Sequence, residues 1–322
     1  MKDFLRRFLT LLLFILPLSH GHADSSEYVF LLKGRGNVFW KVIRQGIEET
    51  AQASGMTATI LHTDDDQTPE AQLNMCLTSI ARKPKFIILG AATKNVGIEC
   101  YKKAEAAGIS VADIDGNVSV QEARDAGIRL AFSVTSDNTR IGQLAATYLA
   151  ETSKKKNPKI LVVRGLPGSI VSEKRATGFS NRLKEILPNA VIVGEPTADW
   201  DRMKALNTTL DVIQREPELH YIFSVSDVMT TGIIEAVRIA KRVGEVRIVS
   251  VDGIADARKA ILSGRIAADV AQLPFLMGKR AVELSLKAST EGVSEYTELT
   301  PTPLLTKDVL NLGTSSDLNY LR

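Results

Sequence analysis

The sequence predicts an α/β protein made of two doubly wound parallel-sheet domains. From residue 28 onward, short apolar runs alternate with amphipathic segments at a steady spacing, a pattern typical of βαβ units and parallel sheets. The alternation restarts near residue 130, giving two consecutive sets of similar length. With 322 residues, of which 44% are hydrophobic, the chain is long enough for two ordered domains.

Residues 1–23 stand apart from this pattern and predict a secretory signal peptide. A basic start is followed by an apolar run from Phe8 to Leu18, and small residues, Gly21 and Ala23, precede a cleavage point. A membrane anchor is the alternative, but about 11 apolar residues fall short of the roughly 20 that a span needs. We therefore expect export with cleavage.

The first set of elements follows in order. The apolar runs at 28–34, 57–63, 85–90 and 110–115 predict strands, and the segments at 39–54, 69–82 and 96–107 predict the helices between them. Val42, Ile43, Ile47 and Ala51 form one apolar stripe at helical spacing. Pro69 is a favourable helix start.

The second set repeats the alternation. It predicts strands at 130–135, 159–165, 190–196, 221–227 and 246–253, with helices at about 138–153, 172–187, 202–215, 228–241 and 254–263. A last helix at about 275–290 and the segment TPTPLLTKDVL (301–310) come after this set is complete. We interpret them as the chain crossing back over a hinge.

Composition argues against several classes of protein. A formal charge of +3 is small for a chain of this length, which makes nucleic acid an unexpected partner. Only His62 and His220 remain after the signal peptide, and no histidine or cysteine cluster has the spacing of metal ligands. We expect neither a metal site nor a cofactor.

The motif-like segments also fail as enzyme signatures. The turn GRGNVFW (34–40) lacks the third glycine of a dinucleotide fingerprint, and GLPGS (165–169) lacks the lysine of a phosphate loop. The chain has no G-x-S-x-G elbow and no paired nucleophile and base. The acidic run Asp64–Asp66 lacks calcium-loop spacing, and we interpret it as a solvated loop. A non-enzymatic protein is expected.

Polar and aromatic residues gather instead at the predicted carboxyl ends of the strands, where open α/β sheets bind ligands. Carboxylates and amides can hydrogen-bond to vicinal hydroxyls while aromatic faces stack on a sugar ring, so these residues predict a carbohydrate pocket. The candidates at these ends are Asn37, Phe39, Trp40, Asp115, Trp200, Asp201, Ser226, Asp227, Asp252 and Gln272. Two structural alternatives stay open: Phe39 as a core residue, and a strand-end aspartate as a helix cap.

Three segments containing these residues resemble the periplasmic sugar-binding proteins of the ribose- and allose-binding type, which have the type I periplasmic binding protein fold. They are GNVFWKVIRQGIEETAQASG (36–55), EPTADWDRMKAL (195–206) and SVDGIADARKAILSGRIAADVAQLP (250–274). The resemblance covers about residues 27–310. It implies a three-crossing hinge near 135–137, 272–273 and 298–300. The implied domains are 27–135 with 273–298, and 136–272 with 299–322.

The resemblance also implies roles for individual residues. Lys33 and Asn37 match the polar positions of the first turn, and the remaining matches are aromatic or hydrogen-bonding positions of the family: Phe39, Trp40, Asp115, Trp200, Asp252 and Gln272.

Three positions depart from the family pattern. Gly116 replaces an arginine or another polar residue, Glu173 stands where a pocket arginine is usual, and Ser226 replaces an asparagine. These changes leave open an amino sugar, a polyol or another small polar ligand beside an ordinary aldose, because an acceptor would replace bidentate donors. The alternative is a different register, in which Arg175 makes the contact.

The resemblance implies a monomeric periplasmic solute-binding protein that closes around its ligand. Two partners stay open: an ABC-type permease in the inner membrane, or a membrane sensor such as a chemoreceptor or histidine kinase. A repressor with this ligand domain would need a DNA-binding module of about 50–60 residues before the first strand, where 27 residues stand.

Two cysteines, Cys76 and Cys100, lie in the second and third predicted helices. Right-handed crossovers place both helices on the same face of the first sheet, and export makes an oxidised pair chemically accessible. The sequence therefore permits either a disulfide or two separate buried thiols.

Overall fold

Strands and helices alternate along the chain as predicted, and they build two mostly parallel sheets flanked by helices. The computed structural model describes residues 27–66, 68–292, 295–313 and 316–321. The predicted signal peptide, residues 1–23, lies outside the described residues. The fold class that the sequence predicts is confirmed.

The first sheet has the strand order β11-β5-β4-β3-β1-β2, and all its pairs are parallel. Its strands are β1 (Tyr28–Leu32), β2 (Ala58–His62), β3 (Phe86–Leu89), β4 (Ser110–Ile114), β5 (Leu130–Ser136) and β11 (Tyr296–Thr300). The central strands β1 and β3 are buried along their whole length, as expected when helices cover both faces.

Helices cover the two faces of the first sheet in pairs. They are α1 (Val38–Ser54), α2 (Pro69–Ala81), α3 (Lys94–Ala106), the short α4 (Val120–Asp125) and, from the end of the chain, α10 (Pro274–Glu291). One apolar core contains residues of α1 and α10, and a second, on the opposite face, contains residues of α2 and α3. The close packing of α1 on α10 depends on Gly46 and Gly278, because a Cβ at either position would overlap the other helix's backbone.

A disulfide joins Cys76 of α2 to Cys100 of α3, with a Cα–Cα distance of 6.0 Å. That distance lies in the range that a bridge requires. Both residues are fully buried in the core beneath α2 and α3. The sequence permits either a disulfide or two separate buried thiols, and the structure contains the disulfide.

The second sheet has the order β12-β10-β9-β8-β6-β7, in which only β12 is antiparallel to its neighbour. Its strands are β6 (Lys159–Val163), β7 (Val191–Gly194), β8 (Leu219–Ser224), β9 (Arg247–Asp252), β10 (Ala268–Ala271) and β12 (Leu304–Leu305). Its helices are α5 (Asn138–Thr152), α6 (Ile170–Ile186), α7 (Arg202–Arg215), α8 (Asp227–Ile239), α9 (Ala255–Leu262) and α11 (Lys307–Leu312). One large apolar core underlies this sheet.

The chain passes between the two sheets three times: between β5 and α5, between β10 and α10, and between β11 and β12. Because β11 runs to Thr300, the third passage falls at 301–303, just beyond the predicted 298–300. The short strands β10, β11 and β12 and the short helices α4 and α11 were not among the predicted elements. Each has six residues or fewer, which is too short for a clear periodic pattern. In the described part of the chain, no helix has the length and apolar character needed to cross a bilayer.

Candidate ligand-binding cleft

The carboxyl ends of the strands of both sheets face each other across a cleft, and a small cavity lies inside it. The residues that line the cavity come from both halves of the molecule: Lys33, Asn37, Phe39, Trp40, Asp66, Asp115, Val171, Arg175, Trp200, Ser226, Asp252 and Gln272. Every residue in the predicted ligand-binding set except Glu173 is among them. Residues up to 239 positions apart in the sequence thus meet here because parallel strands end at the same edge of each sheet.

Lys33 and Asp115 form a buried ion pair in the first half of the cleft. Lys33 directly follows β1 and Asp115 directly follows β4; Nζ and Oδ2 are 2.9 Å apart, and both side chains are 5% exposed. The Lys33 ammonium also lies 4.6 Å from the centroid of the Trp40 ring, which is cation–π distance. The positive charge is therefore compensated within this half.

Two aromatic rings at the start of α1 form a wall of the cavity. The rings of Phe39 and Trp40 meet edge to face, with centroids 5.5 Å apart. The Trp40 indole packs against Gly90 at the end of β3, where a Cβ would overlap it. Phe39 belongs to the apolar core as well as to the cavity, so the core alternative and the site prediction both describe it.

Asn37 connects this wall to an acidic residue that the sequence analysis assigned to a solvated loop. Its Oδ1 accepts the Phe39 backbone N–H and caps α1, while its Nδ2 donates to Asp66 Oδ2 at 2.6 Å. Burial raises the pKa of Asp66, an effect that the Asn37 hydrogen bond opposes. The interpretation as a solvated loop is correct for Asp64, whose side chain is 95% exposed, but it is wrong for Asp66. Its position after β2, at the ligand-binding edge, was the available signal.

Asp252 is the corresponding carboxylate of the second half. It accepts hydrogen bonds from Gln272 Nε2 at 2.7 Å and from the Asp227 N–H at 3.3 Å, and it pairs with Arg175 Nη1 at 3.3 Å. Burial raises the pKa of Asp252 to about 6, although the Arg175 charge opposes this shift. Asp115 does not precede a helix as a cap, whereas Asp252 accepts the first amide of α8, so the capping alternative describes Asp252 as well as the site prediction does. It also applies to Asp201, which accepts the Lys204 N–H at the start of α7.

Two further carboxyl groups, Asp227 and Asp269, lie behind Asp252 and are fully buried. Burial and their mutual repulsion raise the pKa of Asp227 well above the ordinary range, and burial raises the pKa of Asp269. The Ile254 N–H donates to Asp227, and the Ser250 hydroxyl donates to Asp269. Asp252 therefore lies on the cavity side of two carboxyl groups, Asp227 and Asp269, whose ionised forms are disfavoured by burial.

Trp200 reaches the cavity from a strained turn between β7 and α7. Asp199 and Trp200 have φ of 53° and 62°, a left-handed conformation that is uncommon outside glycine. The indole packs against Gly165, where a Cβ would overlap the ring. Strain of this kind is frequent at binding sites, where the surrounding structure holds it in place.

Glu173 does not line the cavity, and its predicted placement there is wrong. Its carboxylate is half exposed and forms an ion pair with Arg164. Arg175, two residues further along α6, faces the cavity and also donates to Asn138 Oδ1 and to the Val225 carbonyl. Residues two apart on a helix lie on different faces, so the structure places Arg175, the alternative of the sequence analysis, at the cavity, and its contact with a ligand stays a prediction. The expectation of an altered ligand that rested on Glu173 loses its basis.

The other two departures lie where the sequence analysis placed them. Gly116 has φ of 81°, and a Cβ there would overlap Thr135, so glycine is required by both conformation and space. Ser226 lines the cavity just before α8. In the described residues, the Ser226 hydroxyl and Gln272 Oε1 are buried without a hydrogen-bond partner.

The fold and this geometry can be compared with known proteins. The sequence profile described as "periplasmic binding protein domain" matches residues 28–292. The D-allose-binding periplasmic protein of Escherichia coli is 28% identical over 277 residues, covering 86% of this chain and 89% of that protein. The ribose import binding protein of the same organism is 26% identical, covering 78% of this chain and 80% of its own length.

Solved structures of solute-binding proteins also superpose on this chain. An ABC transporter periplasmic solute-binding protein from Actinobacillus succinogenes, solved with bound D-allose, superposes with a TM-score of 0.80 at 27% identity. The match covers 88% of this chain and 99% of that one. A solute-binding protein from Agrobacterium vitis with bound D-fucose has a TM-score of 0.83 at 24% identity and supports the fold.

Proposed function

The chain belongs to the periplasmic binding protein domain family, and we propose that it is a solute-binding protein whose two halves close around one small polar ligand, a monosaccharide or a sugar derivative. The observation that carries this proposal is the composition of the cavity. Indole rings of Trp40 and Trp200 line a space whose remaining wall is formed mainly by carboxylates, amides and two cations. Apolar ring faces and hydroxyl edges need this combination.

The hydrogen-bonding state of the cavity supports a ligand rich in hydroxyl groups. The Ser226 hydroxyl and Gln272 Oε1 are buried without a partner in the described residues, whereas buried polar groups in proteins are normally paired. A sugar hydroxyl can donate to Gln272 Oε1, and it can either donate to the Ser226 hydroxyl or accept from it.

The charges of the cavity favour a ligand without a strong charge of its own. Lys33 is paired with Asp115, and Arg175 with Asp252. Because each cation already has its carboxylate, little attraction remains for an anionic ligand. Asp66 adds one further acceptor next to Asn37. An amino sugar and a polyol therefore stay in the candidate panel beside ordinary aldoses.

We further propose that the ligand-loaded, closed form is delivered to an ABC-type permease of the inner membrane. Relatives whose names refer to import favour this partner over a membrane sensor. The protein would act as a periplasmic monomer after removal of residues 1–23, and binding would involve no chemical change of the ligand. The moving units would be the two sheets with their helices, connected at the three passages.

A titration panel tests this function. D-Allose, D-ribose, D-apiose, D-fucose, an acyclic hexitol and an amino sugar are each titrated into the mature protein by calorimetry, with thermal unfolding in parallel. A ligand that binds the folded state must raise the melting temperature. We expect saturable one-to-one binding of at least one member, which Trp200→Ala weakens. A folded protein that binds no member of the panel would contradict the proposal.

A further inference from the structure

Asn117 joins the two halves of the molecule at a point outside the ligand cavity. It lies in the turn after β4 and is fully buried. Its Nδ2 donates to the Ala91 carbonyl of its own half at 2.8 Å. Its Oδ1 accepts from the other half, from the Ser169 hydroxyl at 3.1 Å and from the Val171 N–H at 3.4 Å. The side chain thus hydrogen-bonds to both halves at once.

The bonds to the second half satisfy the beginning of helix α6. The first amides of a helix have no partner within the helix and are usually capped by the side chain of the preceding residue. Ser169 stands at that position but makes no capping bond to α6; its hydroxyl donates to Asn117 instead. The amide of Val171, the second residue of α6, is bonded to Asn117. A residue of the first half therefore caps a helix of the second.

The turn that carries Asn117 is firmly held in its own half. The neighbouring backbone N–H groups of Gly116 and Val118 donate to the buried Asp113 carboxylate, at 2.7 and 3.3 Å. A second bond between the halves lies close by, because the Lys94 N–H donates to the Gly168 carbonyl at 3.2 Å. The capping group is therefore positioned before the halves meet.

We propose that Asn117 is a positioning residue that stabilises the closed form by capping α6 across the cleft. The inference rests on the proposed function, since it concerns closure around a ligand. When the halves separate, the Ser169 hydroxyl and the Val171 amide pass to water, so these bonds exist only in the closed form. Because apparent affinity scales with the population of the binding-competent state, a residue that does not line the cavity sets part of the affinity.

The closed form can be measured without any sugar. A Cβ at Gly168 would lie 3.7 Å from the Cβ of Thr93 in the other half, which is the spacing of a disulfide. Thr93→Cys with Gly168→Cys therefore provides a pair that cross-links only when the halves meet. The native cysteines are both bridged, so the new thiols are the only ones that an oxidant can join. Two costs are common to every variant compared: the loss of the Thr93 cap on α3, and the backbone strain of a cysteine at Gly168, whose φ is 82°.

In this background we expect Asn117→Ala to slow cross-linking about tenfold, because two hydrogen bonds present only in the closed form are lost. Ser169→Ala removes one of them from the other half and should slow it less. The effects of the two substitutions should not add in the double variant. Thr306→Ala removes the cap of α11 within the second half and should leave the rate unchanged.

Unchanged cross-linking in folded Asn117→Ala protein would overturn the proposal, as would equal slowing by Thr306→Ala. If Asn117→Ala fails to fold, Ser169→Ala alone decides the test. Slower cross-linking in Ser169→Ala then supports the proposed role of Asn117, and an unchanged rate overturns it. Because no sugar is present, the result stands whether or not the ligand panel finds a binder. A failure of the proposal for Asn117 can therefore be distinguished from a failure of the proposed function.

Discussion

The two halves of the cleft each present an aspartate at the end of their fourth strand, Asp115 after β4 and Asp252 at the end of β9. These strands occupy equivalent positions in the two sheets. Both aspartates have positive φ, 83° and 119°, and both precede a glycine that is also left-handed. The same strained strand end is therefore used twice to aim a carboxylate into the cleft.

The surroundings of the two carboxylates differ. Asp115 is paired with one lysine at 2.9 Å, against the Trp40 ring. Asp252 has a more distant arginine at 3.3 Å and two further buried acids, Asp227 and Asp269, behind it. The first half also carries the Cys76–Cys100 disulfide. The carboxylate of the first half thus has a single lysine as its partner, in a domain with a covalent bridge, whereas that of the second half lies in a polar network in which Arg175 is its paired cation.

The largest effect should come from removing that cation. Arg175→Met leaves Asp252 buried without its charge partner and deprives Asn138 Oδ1 and the Val225 carbonyl of their donor. We expect a loss of about 3–5 kcal/mol in the free energy of unfolding, as for other broken buried ion pairs. Lys33→Met is the matched substitution in the first half and should destabilise less, because it removes one ion pair and one cation–π contact, whereas Arg175 also donates to two further buried acceptors. Urea denaturation compares the two; a greater loss for Lys33→Met would reverse the comparison.

The next largest loss of stability should come from removing the disulfide of the first half. Replacing Cys76 and Cys100 by alanine opens a loop with a sequence separation of 24 residues. The chain-entropy model gives about 3 kcal/mol for a loop of this size. Thermal unfolding should show the loss, while ligand affinity at a temperature where the variant is folded should stay the same. A large drop in affinity would show that the bridge also shapes the cleft.

Substitutions of the two tryptophans should distinguish effects on ligand affinity from effects on stability. Trp200 lies on a turn at the cleft and Trp40 is 2% exposed in the core. Trp200→Ala should weaken the ligand found in the panel by about 2 kcal/mol, roughly thirtyfold, as for aromatic anchors at interfaces, with little change in unfolding. Trp40→Ala should destabilise the protein as well. Calorimetry and denaturation of both variants test this, and unchanged affinity in Trp200→Ala would remove it from the site.

The smallest effect should be a pH dependence that comes from the second half. Asp252 has a pKa of about 6 because burial disfavours its charged form. If the ligand hydroxyls donate to the carboxylate, affinity is constant above pH 6 and falls as the pH decreases through 6, by up to tenfold per unit. Calorimetry at pH 5, 6 and 7.5 measures this, and Asp252→Asn should bind more weakly at pH 7.5 but lose the dependence. Affinity that rises in acid would mean that the protonated carboxyl donates to the ligand.

The positions of most cavity residues follow from the sequence because strand ends are visible in it. Apolar runs mark β1, β4 and β9, and their polar ends must meet at one edge of a parallel sheet. This is why Asp115 and Asp252 could be placed in the cleft from the sequence. Their roles toward a ligand remain predictions.

Other site features depend on contacts that leave no local signal. Whether Glu173 or Arg175 faces the cavity depends on the rotation of α6 about its axis, which its packing on α5 decides. Asp66 is one of three consecutive aspartates, and its burial, its bond to Asn37 and its contact with Gly34 distinguish it from its exposed neighbours.

The sequence by itself determined the alternation of strands and helices, the two sheets and the edge at which ligands bind, because each follows from local hydrophobic periodicity and from the chirality of the crossovers. Tertiary structure alone decided which charges pair, that Cys76 and Cys100 come within bonding distance, and that Asn117 caps a helix of the opposite half. Each of these joins residues far apart in the chain, so its geometry depends on how whole elements pack rather than on the residues nearby.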